Sequence, residues 1–139
     1  LVAVLDFQPL IQDKFYFDKY YQELDSLKNS FPEFNNQEKM NLYNPNKYFS
    51  PSILFCKGGI KEAEASLPIV FKSFLECYWD LEEKVGRNVL GLNSNKIKQL
   101  HIEYDKYSAE RDPAHALFTS FFGKEWSDSF LKEFLFPYS

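Results

Sequence analysis

The run Leu1-Val2-Ala3-Val4-Leu5 is apolar at every position, with no polar residue to mark a solvent side. Side chains of a strand alternate between two faces, so a run without alternation predicts a strand covered on both. Such a strand needs a sheet with helices flanking it, and the pattern downstream supplies them. The chain starts inside this run without an initiator Met, so we expect a strand entered from upstream. Residues 1–139 are then a single domain that is the C-terminal portion of something longer.

Gln8-Pro9 ends the strand, because proline cannot donate to a ladder. From Asp13 onward Phe17, Tyr20, Tyr21, Leu24 and Leu27 recur at helical spacing, and Phe31-Pro32 stops that helix. Residues 32–48, rich in Asn and Pro, read as an irregular loop. A second strand is predicted from about Phe49 to Lys57, ended by Gly58-Gly59. A long helix follows over about Ala63 to Val85, with Phe71, Phe74, Leu75, Tyr78 and Leu81 on one face and Pro68 in its first turns or at a kink. After a loop over Gly86–Ser94 the remainder is helical. Ile97, Leu100, Tyr104 and Tyr107 form one stripe, Asp112-Pro113 breaks it, Gly123 stops the next helix, and Trp126 to Phe134 carry the last. The fold class is α/β, with helices flanking a sheet.

Composition excludes several classes of function. Sixteen Lys and Arg against twenty Asp and Glu leave a net charge of −4, which argues against a nucleic-acid binder. No stretch approaches the roughly 20 apolar residues of a membrane span, so no membrane partner is expected. Cys56 and Cys77 form no CxxC pair and lie in apolar runs, as inert thiols do in a reduced, cytoplasmic setting. His101 and His115 stand across a helix break from each other, so no metal site is expected. Gly86 and Gly91 have the spacing of a phosphate loop, but Leu92 stands where lysine is required. Aromatic residues are the outlier at 19%, enough for a rigid core or a pocket for a flat ligand.

Polar chemistry concentrates between Tyr104 and His115. Asp112 before Pro113 fits first a helix N-cap, and second a carboxylic acid at a helix start that protonates a ligand. Arg111 fits a surface ion pair or an anion contact. Lys57, at the end of an apolar strand, fits a solvated strand end or a contact to a ligand carboxylate.

Four segments carry a resemblance. Val4-Leu5-Asp6-Phe7-Gln8-Pro9, then Tyr48-Phe49-Ser50 leading into Leu54-Phe55-Cys56-Lys57-Gly58-Gly59, then Tyr107-Ser108-Ala109-Glu110-Arg111-Asp112-Pro113-Ala114-His115 resemble the ferredoxin-dependent bilin reductases. So does Phe122-Gly123-Lys124-Glu125-Trp126-Ser127 through Phe134-Leu135-Phe136-Pro137. Ser66-Leu67-Pro68 and Tyr78-Trp79-Asp80-Leu81 narrow the likeness to members that reduce the bridge between the C and D rings.

The resemblance implies a three-layer α/β/α sandwich with a central antiparallel sheet, its N-terminal strands upstream of Leu1. It implies an open-chain tetrapyrrole held between sheet and C-terminal helices, and two-electron reduction of biliverdin IXα to 15,16-dihydrobiliverdin by a radical route. Reduced ferredoxin is the implied electron donor, with no bound metal or flavin. The next bilin reductase on the way to phycoerythrobilin is an implied partner. Lys57 matches the family's basic strand-end residue and Asp112 its C-terminal pocket aspartate, while a second catalytic aspartate would lie upstream. Ferredoxins are acidic, which makes Lys72, Lys84, Arg87, Lys96 and Lys98 candidate docking residues.

Overall fold

A computed structural model describes residues 1–40, 43–59, 61–85 and 90–139. They form two compact units, Leu1–Gly91 and Leu92–Ser139. Arg87 and the first part of the Gly86–Ser94 loop, residues 86–89, lie outside the described residues.

In the first unit, β1 (Val2–Leu5) pairs antiparallel with β2 (Leu54–Lys57) in the register Val2↔Lys57, Ala3↔Cys56, Val4↔Phe55 and Leu5↔Leu54. Opposed residues share a face of the sheet. Ala3, Leu54 and Cys56 therefore point one way, into the core with Leu24, Leu27, Phe34, Ala63 and Val70. Val2 and Val4 point the other way and are 65% and 46% exposed. Among the described residues, then, β1 is buried on one face and exposed at Val2 and Val4 on the other, where the neighbouring Phe55 of β2 is nonetheless buried.

Those helices are α1 (Lys14–Tyr20), α2 (Gln22–Ser30), the single turn α3 (Pro45–Tyr48) and α4 (Lys61–Lys84). The Asp13 carboxylate caps α1 by accepting from the Tyr16 amide at 2.7 Å. The helix expected from Asp13 to Phe31 is broken at Tyr21. Its hydroxyl donates to the Phe7 carbonyl at 2.8 Å, and its ring packs edge-on against Phe7. Tertiary contact overrides local propensity at that residue. The strand expected from Phe49 begins only at Leu54, because Ser50-Pro51-Ser52 form a turn instead.

α4 turns a different stripe inward from the one its large aromatics suggest. Ala63, Leu67, Val70, Phe74, Cys77 and Leu81 meet the core at three- and four-residue spacing. Phe71, Leu75, Tyr78 and Trp79 stay exposed. Small Ala63 and Val70 permit the close approach to α2 that the bulkier stripe would prevent. Pro68 sits inside the helix, in its third turn, and it is exposed.

The second unit holds α5 (Ser94–Ala109), α6 (Ala114–Phe122) and α7 (Lys124–Phe130), extended by a π turn over Leu131–Leu135. Asn93 caps α5 by accepting from the Lys96 amide at 2.9 Å. Ile97, Leu100, Tyr104 and Tyr107 occupy its half-buried stripe, as their spacing requires. Gly123 ends α6 at φ 83°, a conformation that strains any residue with a Cβ, and redirects the chain into α7.

Leu24, 1% exposed at the centre of the first core, gives a direct check. Leu24→Ala is expected to lower the unfolding free energy in urea by about 2–5 kcal/mol, whereas Phe121→Ala at an exposed position shifts it by about 0.5 kcal/mol or less.

Candidate functional site

Lys57 is the last residue of β2. Its partner is Val2, and the Gly58 amide extends the ladder by donating to the Leu1 carbonyl at 3.0 Å. Pairing with Val2 puts Lys57 on the Val2–Val4 face, away from the helical core. The structure thus places an exposed ammonium at the rim of an apolar sheet surface.

Beside Val4 opens an aromatic cleft of about 680 Å³, lined by Asp6, Phe7, Tyr16, Tyr21, Phe49, Phe74 and Tyr78 among others. Phe7 is its centre, with ring centroids of Phe74, Tyr78 and Tyr21 at 4.6, 5.7 and 5.9 Å. A cleft of this size and lining suits a large flat ligand. Burial pushes the Asp6 carboxyl above its ordinary value, an effect that hydrogen bonds from the Ser50 side chain and backbone partly offset. Burial also pushes the Tyr21 phenol up, so it remains a hydrogen-bond donor throughout the physiological range. The Cys77 thiol is raised by burial as well, which keeps it protonated and unreactive.

Arg111 and Asp112 stand together in the second unit, between α5 and α6. Asp112 Oδ1 accepts from the Ala114 amide at 2.8 Å, and the Asp112 carbonyl accepts from the His115 amide at 3.3 Å. Pro113 adopts helical dihedrals between them. The capping geometry expected from Asp112-Pro113 is therefore present, and it engages one carboxylate oxygen while Oδ2 takes no part. Arg111 turns back on α5. It donates to the Tyr107 carbonyl at 3.2 Å and to Glu110 Oε2 at 2.9 Å, and its guanidinium lies 4.2 Å from the Tyr107 ring centre.

A pairing with no periodic signature joins α6 to α7. Asp128 Oδ1 lies 2.8 Å from His115 Nε2, and its other oxygen accepts from Lys124. The Lys124 hydrogen bond, followed by that of His115, holds the Asp128 carboxyl below its ordinary value. His115 stands out in the sequence for its nearness to Asp112, but Asp128 does not. Its only advance signal is that the Gly123 turn folds α7 back alongside α6.

Of the basic residues considered for docking, Lys72 pairs with Glu76 and Lys84 with Glu23, while Lys96 and Lys98 are exposed on α5. Among the described residues, no helix is long and apolar enough to cross a membrane, and no three His, Cys, Asp or Glu side chains cluster as a metal site.

Comparison with known proteins places these features in context. The model of the family described as ferredoxin-dependent bilin reductase matches residues 1–137. A protein of Prochlorococcus marinus (strain NATL1A), named 15,16-dihydrobiliverdin:ferredoxin oxidoreductase, is 60% identical over 139 residues, covering 100% of this chain and 58% of the relative. Proteins of the same name from Prochlorococcus marinus (strain MIT 9303) and Synechococcus sp. (strain CC9605) are 56% and 55% identical. Each match takes in 100% of this chain, with 56% and 59% of the respective relative. The chain thus spans less than two thirds of the length of these relatives.

Two predictions follow from the α5–α7 geometry. Asp112→Ala removes the cap and lowers stability by about 1 kcal/mol, whereas Asp112→Asn, which keeps an acceptor, costs a few tenths at most. Because the folded Asp128 value lies below the unfolded one, its contribution to stability is complete above the ordinary carboxylate range. It is lost as pH falls through the folded value. Thermal unfolding of Asp128→Asn between pH 2 and 6 should lack that acid-side loss.

Proposed function

The chain belongs to the ferredoxin-dependent bilin reductase family, and on that premise we propose that its protein reduces biliverdin IXα to 15,16-dihydrobiliverdin, with reduced ferredoxin as electron donor. The match over residues 1–137 carries this reading, and the name shared by its relatives supports the choice of the 15,16 bridge. The apolar Val2–Val4 face supports it, as a surface for a flat, hydrophobic pigment with a cation at its rim.

In this reading the tetrapyrrole lies over Val4 and the aromatic cleft beside it, and a propionate meets Lys57. Val2 and Val4 are about 7 Å apart along the strand, a span that the pigment bridges easily. Arg111 is the second anion contact. Its exposed pair with Glu110 is worth about 1 kcal/mol or less, so a propionate can replace it. The full protein is a three-layer α/β/α sandwich and a single domain, in which further strands and helices cover the face left open here.

Reduction of the 15,16 double bond takes two electrons and two protons. Two ferredoxins deliver the electrons one at a time, through a bilin radical. Asp112 supplies one proton through the oxygen outside the cap, and the second catalytic aspartate that the family likeness implies supplies the other. The aromatic surroundings exclude water and protect the radical. The product passes to the next bilin reductase on the route to phycoerythrobilin.

The test uses the protein at its natural full length with biliverdin IXα, reduced ferredoxin and an electron source, followed by absorption under anaerobic conditions. The expected product is 15,16-dihydrobiliverdin. Formation of phycoerythrobilin or phycocyanobilin contradicts the regiochemistry, and bound pigment without turnover contradicts catalysis. Asp112→Asn should bind biliverdin normally and turn over about 10²-fold more slowly, the scale of one lost general acid.

A further inference from the structure

Residues 49–53 show an unusual concentration of side-chain anchoring for a turn. Gln12 donates to the Phe49 carbonyl at 3.0 Å, Lys28 to the Pro51 carbonyl at 2.7 Å, and Gln37 to the Ile53 carbonyl at 3.0 Å. Ser52 donates its hydroxyl to Asp25. At Ser50 both the amide, at 2.8 Å, and the hydroxyl donate to the Asp6 carboxylate. Gln12, Asp25, Lys28 and Gln37 tie the turn to α2 and to segments outside the ladder. Asp6, which directly follows β1, ties it to β1 itself.

That difference matters because the ladder has only four residue pairs. A two-stranded ladder this short specifies its register weakly. A slip of one residue would move every side chain of β2 to the opposite face, taking Lys57 from the Val2–Val4 face to the core side. Asp6 lies one residue beyond the last pair, Leu5↔Leu54, and grips Ser50 with both oxygens. Its half-buried carboxyl is held there by two donors from one residue, a geometry that a slipped strand could not reproduce.

We propose that Asp6 is a positioning residue, which locks the β1–β2 register and so holds Lys57 on the open sheet face where it meets the pigment. The proposal rests on the reading of Lys57 as a propionate partner, and it has a readout independent of that reading.

The test compares Asp6→Asn, Ser50→Ala, Lys57→Ala and the Asp6→Asn/Lys57→Ala double variant in the full-length protein. Amide hydrogen exchange reads the ladder directly. Asp6→Asn and Ser50→Ala should each speed exchange of the Gly58 amide about tenfold, the size expected from one lost charge-assisted hydrogen bond, and leave α5 amides unchanged. Unchanged Gly58 protection overturns the proposal. Biliverdin affinity, read by absorbance titration, should fall about tenfold in Asp6→Asn and no further when that change is added to Lys57→Ala. A merely structural role would make the two losses add, which overturns it. Should Asp6→Asn fail to fold, Ser50→Ala decides alone, and wild-type affinity with wild-type exchange in that variant overturns the proposal. If the unmodified protein binds no biliverdin, the functional reading fails, and the exchange comparison still decides the role of Asp6.

Discussion

The first unit depends on burying one face of a very short ladder. Ala3, Leu54 and Cys56 present small and medium side chains to α2 and α4, and Ala63 and Val70 let α4 come close enough to complete the contact. Two strands alone would be marginal in water, so this single packed face makes the sheet persist. Its direct consequence lies on the other side. Once Ala3 and Cys56 are committed to the core, pleating commits Val2, Val4 and Lys57 to the opposite surface. An apolar patch with a cation at its rim is therefore a product of the packing, not a separate device.

Charge is distributed to match that division. In the first unit the polar side chains near the core bind specific partners: Tyr21 holds the Phe7 carbonyl, Asp6 holds Ser50, and the buried Ser52 donates to Asp25. Surface pairs such as Lys14–Asp18 and Lys72–Glu76 are exposed and contribute little. In the second unit Asp112 and Asp128 show two uses of one functional group. Asp128 is engaged through both oxygens, by the Lys124 ammonium and the His115 ring, whereas Asp112 spends one oxygen on a helix cap and keeps the other. A carboxyl of the second kind can both organise a helix and exchange a proton.

What the sequence makes legible is what repeats at short range. The apolar run at Leu1–Leu5, the α5 stripe from Ile97 to Tyr107, the stop at Gly123 and the Asp112-Pro113 cap each follow from neighbours a few residues apart. The α4 face was harder to read. Aromatic bulk draws attention to Phe71 and Tyr78, while the core selected the narrower stripe through Ala63 and Val70. Least legible are pairings between distant side chains. Asp6 meets Ser50 across 44 positions, and His115 meets Asp128 through a helical hairpin. Neither leaves a periodic trace, and both become visible only when the chain has folded. The family likeness came from whole motifs, and it was the motif around Asp6 that carried a residue whose work composition could not reveal.

The central claim is that the open Val2–Val4 face, together with the aromatic cleft beside Val4, receives the pigment. A crystal structure of the full-length protein with biliverdin IXα tests it most directly. The account predicts the tetrapyrrole over Val2 and Val4, with a propionate oxygen within hydrogen-bonding distance of Lys57 Nζ. A pigment bound elsewhere, with Lys57 in open solvent and Val4 covered only by protein, would contradict it.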